Sequence, residues 1–103
     1  MGRVRWSKNA DADFDRYSAW IWREAAAGDA AVWLNAVIER VEQLATFPRI
    51  GTPRDDLAEG VRTLAFRKAL VIAYVIDGQG DVDILRLFAR GRDITPVDFP
   101  SGP

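Results

Sequence analysis

The chain of 103 residues has fourteen Lys and Arg but no histidine and no cysteine, and this limits the chemistry it can do. Without imidazole or thiol it lacks the usual general base, the commonest metal ligand and the thiolate nucleophile. What remains is arginine chemistry. Arg62, Arg86, Arg90 and Arg92 lie in or beside apolar runs, and Arg67-Lys68 stands between two such runs. A guanidinium fork recognises carboxylate or phosphate at two points. It can also stabilise developing negative charge, but it does not accept a proton. The same residues could equally be solvated or engaged in ion pairs, for instance with Asp81, Asp83 or Asp93, and surface pairs of that kind contribute little. Asp55, Asp56 and Glu59 cluster without a defined ligand spacing and read as a solvated loop. No metal or cofactor is expected.

The net charge is −1. A protein that grips a nucleic-acid backbone over a broad surface usually carries a clear basic excess, so nucleic-acid contact here would have to rest on a local patch. The longest apolar run, residues 69–76, is far too short to span a bilayer. Arg3 and Arg5 are followed by no apolar stretch, so no secretion signal is expected and a cytoplasmic protein is. Length and composition fit one globular domain, read as residues 1–93 followed by a polar, proline-containing extended tail, 94–103.

The elements that must position these residues follow from periodicity. Arg3-Val4-Arg5-Trp6 alternates and predicts a short strand. Ser7 or Asn9 can cap a helix running from about Asn9 to Ala26, with Phe14, Tyr17, Ile21 and Ala25 on its apolar face. Gly28 ends that helix, and Asp29 is expected to cap a second one, Ala30 to Thr46, with the stripe Trp33, Val37, Val41 and Leu44. So short a link makes the two an αα-hairpin. Phe47-Pro48 stops the second helix, and residues 48–60, with two prolines and two glycines, form a loop. Three strands follow, at 61–66, 69–76 and 81–88. The middle one is apolar without alternation, as in a strand covered on both faces. The fold class is therefore α+β, in the order β-α-α-β-β-β, with the helical hairpin on one sheet face.

Four segments in this order carry a resemblance. They are the helix end and loop Leu44-Ala45-Thr46-Phe47-Pro48-Arg49-Ile50-Gly51-Thr52-Pro53, the strand start Gly60-Val61-Arg62, the central Leu70-Val71-Ile72-Ala73-Tyr74, and Ile84-Leu85-Arg86-Leu87-Phe88 followed by Arg92-Asp93. Together they resemble the ParE/RelE family, the toxins of bacterial type II toxin–antitoxin pairs. The chain departs from the family pattern at Leu70, where an aromatic residue is frequent, and at Ala89, where many members have histidine.

The resemblance implies one of two activities. RelE-like members cut messenger RNA on the ribosome, using a basic surface and C-terminal Tyr or His groups. Here the only tyrosines are Tyr17 and Tyr74, and the tail has none. ParE-like members poison DNA gyrase by binding, which needs neither an acid–base pair nor a basic excess, and that reading fits better. A third reading is an inactive member that only binds its antitoxin. The partners implied are a cognate antitoxin of ribbon-helix-helix or similar DNA-binding type, gyrase as target, and a second copy of the chain when free.

The expected target-binding residues are Arg62, Arg67, Lys68, Arg86, Arg90 and Arg92. Arg62 and Arg86 would project from an open sheet face. Antitoxin contacts are expected at Trp20, Trp22, Leu64, Phe66 and Phe88. Trp20 and Trp22 stand two apart on a helix and cannot share one buried face, so one of them is expected to be exposed.

Overall fold

The computed structural model describes residues 2–26 and 28–99. Strand β1 (Val4–Trp6) leads into helix α1 (Lys8–Glu24) and helix α2 (Asp29–Thr46), followed by β2 (Thr52–Pro53), β3 (Arg62–Phe66), β4 (Leu70–Ile76) and β5 (Val82–Ala89). They form a five-stranded sheet in the order β1-β5-β4-β3-β2. All neighbours are antiparallel except β1, which returns parallel to β5 with Val4 opposite Val82. The α+β layout is as expected. The added element is the two-residue β2, too short to leave a pattern in the sequence.

Local chemistry sets the boundaries. The Ser7 side chain accepts the Ala10 N–H at 3.0 Å and so caps α1. Gly28, with φ of 89°, opens α2, and Asp29 lies inside the first turn rather than acting as its cap. The turn needs a positive φ that glycine adopts freely.

Val37, Val41 and Leu44 from α2 meet Leu64, Phe66, Leu70, Ile72, Tyr74, Val82, Ile84 and Leu87 from the sheet. Each such side chain contributes roughly 1.5–3 kcal/mol of burial. Because strand side chains alternate, Val61, Val71, Ala73 and Val75 fall on the opposite face. That face is also covered, by Leu57 and Ala58 from the loop and by Ile94 and Phe99 from the C-terminal segment. Central β4 is therefore enclosed on both sides, as its unbroken apolar run predicts.

Several expectations are corrected at this point. The second sheet face is not open. The described part of the tail is not a plain extended strand. It forms a 3-10 turn at Pro96–Asp98 and seats Phe99 against Phe88, ring centroids 5.8 Å apart; residues 100–103 lie outside the described residues. Leu64 and Phe66 are buried beneath the helical hairpin and Phe88 beneath the tail, so none of the three offers a surface to an antitoxin in this state. Alternation placed them on strands but could not say which faces are covered.

The loop after α2 is fixed by Tyr74, which is fully buried. Its hydroxyl donates to the Pro48 carbonyl at 2.6 Å and accepts the Gly51 N–H at 2.9 Å. Arg62 belongs to the same fastening, donating to the carbonyls of Arg49 at 3.2 Å and Gly51 at 2.8 Å.

At the opposite sheet edge Arg5 bonds three carboxylates, Asp77 at 2.7 Å, Asp83 at 2.7 Å and Asp81 at 3.2 Å. Hydrogen bonds from Arg5 and from the Gln79 and Asp81 amides hold the Asp77 carboxyl below the usual carboxylate range. A carboxyl lowered on folding adds stability that is present above its unfolded pKa and is lost as pH falls through the folded value. Arg5→Ala is therefore expected to flatten the loss of thermal stability below pH ~4. An acid limb in melting temperature as steep as the parent's would refute this.

Candidate functional site

A concavity of about 930 Å³ opens between α1, the start of α2, the β3–β4 turn and the end of β5. Tyr17, Ile21, Trp33, Leu70 and Leu87 supply apolar lining, and Trp20 adds a ring that is 49% exposed. The Trp33 indole N–H donates to the Tyr17 hydroxyl at 2.7 Å, which fixes both aromatic walls. Trp22 is also exposed but does not line the cleft. Both tryptophans of the pair are thus at the surface, where one was expected, because α1 buries only a narrow stripe including Ala10, Asp13 and Ile21.

The residue that positions the cleft is Asp13, the one buried charged side chain among the described residues. Its carboxylate accepts Arg86 Nε at 2.7 Å, Arg86 Nη2 at 3.1 Å and the Leu87 backbone N–H at 2.9 Å, and it pairs with Arg16 as well. It does so where β5 continues past the end of β1, so a side chain replaces a neighbouring strand. The β4–β5 register slips at the same level and leaves Leu85 without a partner. The Ser7 hydroxyl donates to the Leu85 carbonyl at 3.0 Å. A bulge of this kind re-aims the following side chains. The bond to Asp13, reinforced by its charge, raises the affinity of Arg86 for its proton. In sequence, a carboxylate this near the start of α1 reads simply as charge that suits a helix N-terminus. The overlooked signal was a carboxylate on the apolar stripe of α1.

Of the six basic residues expected to bind a target, Arg62, Arg86 and Arg92 are held by two-point or ion-pair contacts within the fold. Arg62 fastens the 49–51 loop, away from the cleft. Arg86 holds Asp13. Arg92 pairs with Asp98 at 2.7 Å, not with Asp81, Asp83 or Asp93, and lies 4.8 Å over the Phe88 ring. Asp81 and Asp83 are taken by Arg5. The other three, Arg67, Lys68 and Arg90, have no carboxylate partner among the described residues. Lys68 and Arg90 line the cleft together with Arg86 and Arg92, and Arg67 stands beside it with its guanidinium 4.8 Å from the Trp33 ring.

The carboxylates of Glu24 and Asp29 line the helical side. Among the described residues no group of His, Cys, Asp or Glu is placed to hold a metal ion, and no helix is long and apolar enough to cross a membrane. The arrangement is an apolar trough with aromatic walls and a basic end, suited to holding an amphipathic or anionic partner.

Residues 4–94 match the family described as the ParE toxin of the type II toxin–antitoxin system, parDE. The chain belongs to the ParE toxin family. Toxin ParE3 of Caulobacter vibrioides is 33% identical over 91 residues, covering 84% of this chain and 85% of that protein. Among solved structures, the chromosomal ParDE toxin–antitoxin system from P. aeruginosa matches with a TM-score of 0.73 at 24% identity, covering 87% of this chain and 97% of that one. The toxin–antitoxin complex RelBE2 from Mycobacterium tuberculosis matches with a TM-score of 0.63 at 26% identity, covering 86% and 98%. These similarities establish this ParE-family chain as a toxin of the type II class with the ParE/RelE fold.

Proposed function

We propose that the protein inhibits DNA gyrase by binding it, without chemistry of its own, and that a cognate antitoxin of ribbon-helix-helix or similar DNA-binding type neutralises it. The observation that carries this reading is the cleft, whose exposed Trp20 and uncommitted cations form a docking surface. The one buried carboxylate there, Asp13, is occupied by Arg16, Arg86 and the Leu87 amide, so it is not free to move a proton. Trp20 and Trp22 are the proposed antitoxin anchors, since exposed tryptophan is a strong interface residue. Arg67, Lys68 and Arg90 are the proposed target contacts. The free protein, with both indoles at the surface, is expected to pair with a second copy.

Induced expression of the protein alone in a bacterial host, scored together for growth, cell shape and translation, tests the reading. Arrest with filaments, unsegregated DNA and continuing translation is the expected result. Translation that stops within minutes, before any filamentation, would replace it with messenger RNA cleavage. Normal growth alongside tight antitoxin binding would mark an inactive member.

A further inference from the structure

Three of the cations that have no carboxylate partner among the described residues, Arg67, Lys68 and Arg90, stand together. Arg67 and Lys68 occupy the turn between β3 and β4, and Arg90 Nη1 donates to the Arg67 carbonyl at 3.2 Å, which brings the third guanidinium against the same turn. The Arg90 N–H bonds the Ala69 carbonyl at 2.9 Å, so strand end and turn form one unit. Arg67 has φ of 50°, the only positive φ among the described non-glycine residues. A side chain in this region carries a strain that glycine avoids. The Arg67 guanidinium lies 4.8 Å from the Trp33 ring and 4.9 Å from the Phe66 ring, cation–π contacts that favour this placement. A strained backbone that keeps a cation where glycine would be easier suggests a function for that cation. All three side chains are exposed. The acids of the cleft, Glu24 and Asp29, come from the helical hairpin and form no ion pair with them.

We infer that Arg67, Lys68 and Arg90 form a site for the phosphodiester backbone of duplex DNA, so that the toxin touches the DNA held by its target as well as the target protein. This rests on the gyrase reading above. Phosphate is favoured over a single protein carboxylate because two guanidinia and an ammonium around one turn exceed what one carboxylate can satisfy. Three contacts predict a slope near −2.7 in log K against log salt, and so about 40-fold weaker binding at 200 mM than at 50 mM salt. The overall charge of −1 confines this contact to the turn.

The test compares the full chain with the Arg67→Gly/Lys68→Ala/Arg90→Ala variant in two assays. Anisotropy of a labelled 20-base-pair duplex at low salt is expected to fall at least tenfold in affinity, with most of the salt slope lost. In a gyrase assay the variant is expected to trap far less cleaved DNA, and to lose more affinity for gyrase that holds DNA than for gyrase without it. Its melting temperature checks that it folds, and Arg67→Gly alone relieves the strained turn, giving a second variant that cannot fail for that reason. Undiminished trapping by the variant would overturn the DNA contact and leave gyrase inhibition standing. An equal loss of DNA-free gyrase binding would assign the cations to a protein carboxylate instead. Tighter binding of a matched RNA than of the duplex would also overturn the proposal. Failure of the parent to inhibit gyrase would sink the gyrase reading, and the duplex titration would still judge the phosphate site by itself.

Discussion

Asp13→Ala is expected to lower the unfolding free energy by about 3 kcal/mol, because it breaks a buried ion pair and strands a backbone donor together. The carboxylate is the shared acceptor for Arg86, Arg16 and the Leu87 N–H, and its own side chain is only 5% exposed. Once it is removed, Arg86 recovers some hydration, being 24% exposed, which keeps the loss at the lower end of what buried pairs show. The Leu87 N–H has no strand beside it to take over. At ~4–8 °C per kcal/mol for a domain of this size, the melting temperature should drop by at least about 12 °C. Asp13→Asn keeps one acceptor oxygen and should lose less. Urea unfolding of the three proteins measures this directly. A change below about 1 kcal/mol for alanine would mean that apolar packing, not this carboxylate, holds α1 to β5.

Gly51→Ala is expected to cost about 3 kcal/mol, near the upper end for overpacking. A Cβ at this position would lie 2.5 Å from the Tyr74 hydroxyl, 2.8 Å from Cε1 of the same ring and 3.0 Å from the Thr63 carbonyl. None of these is the loose end of a flexible side chain. Tyr74 is fully buried and bonded on both sides, and Thr63 lies in a strand paired on both edges. Tyr74→Phe should cost about 2 kcal/mol, since it leaves the Gly51 N–H and the Pro48 carbonyl unmet. It also removes the nearest clashing atom, so the double substitution should cost less than the sum of the two. Strict additivity would show that the clash is relieved elsewhere.

Tyr74 also sets a limit in alkali. Burial pushes its hydroxyl above the ordinary value of 10.0, so folding favours the neutral form. That contribution is present below pH 10 and is lost as pH rises towards the folded value, giving a falling melting temperature that Tyr74→Phe should not share.

Much of this architecture was legible in the residues, and the failures have identifiable causes. The helical hairpin, the central strand and the turns were readable because they depend on local periodicity and on Gly and Pro, which act through the backbone alone. The cover over the second sheet face was not, because Leu57 and Phe99 reach it from segments without periodicity. Phe88 was accordingly placed at a surface it does not occupy, and Leu64 and Phe66 were misplaced because alternation does not say which face the helices cover. For the candidate site, the sequence named Lys68, Arg86, Arg90 and Arg92 of the cleft and Arg67 beside it, but added Arg62, which lies elsewhere, and could not divide the free from the committed. Whether an arginine is free depends on where Asp13 and Asp98 come to lie, and Asp13 bridges to Arg86 across 73 positions. Arg16, Glu24 and Asp29 were missed because charge on a helix reads as solvated face.

The parallel pairing of the first strand with the last has a consequence for how the chain is made. Val4 meets Val82, so β1 has no strand partner until β5 has been made. Contacts of such long range are closed late and slowly. During synthesis the helical hairpin emerges with its apolar stripe uncovered, Asp13 without Arg86, and the cleft without Lys68 or Arg90. A ribosome that stalls or terminates before Val82 therefore releases a fragment that lacks both the finished sheet and the basic end of the cleft. The cell is exposed to the complete surface only once residues through Arg92 have been made, so any neutralising partner is needed from that point and not while the helical hairpin emerges.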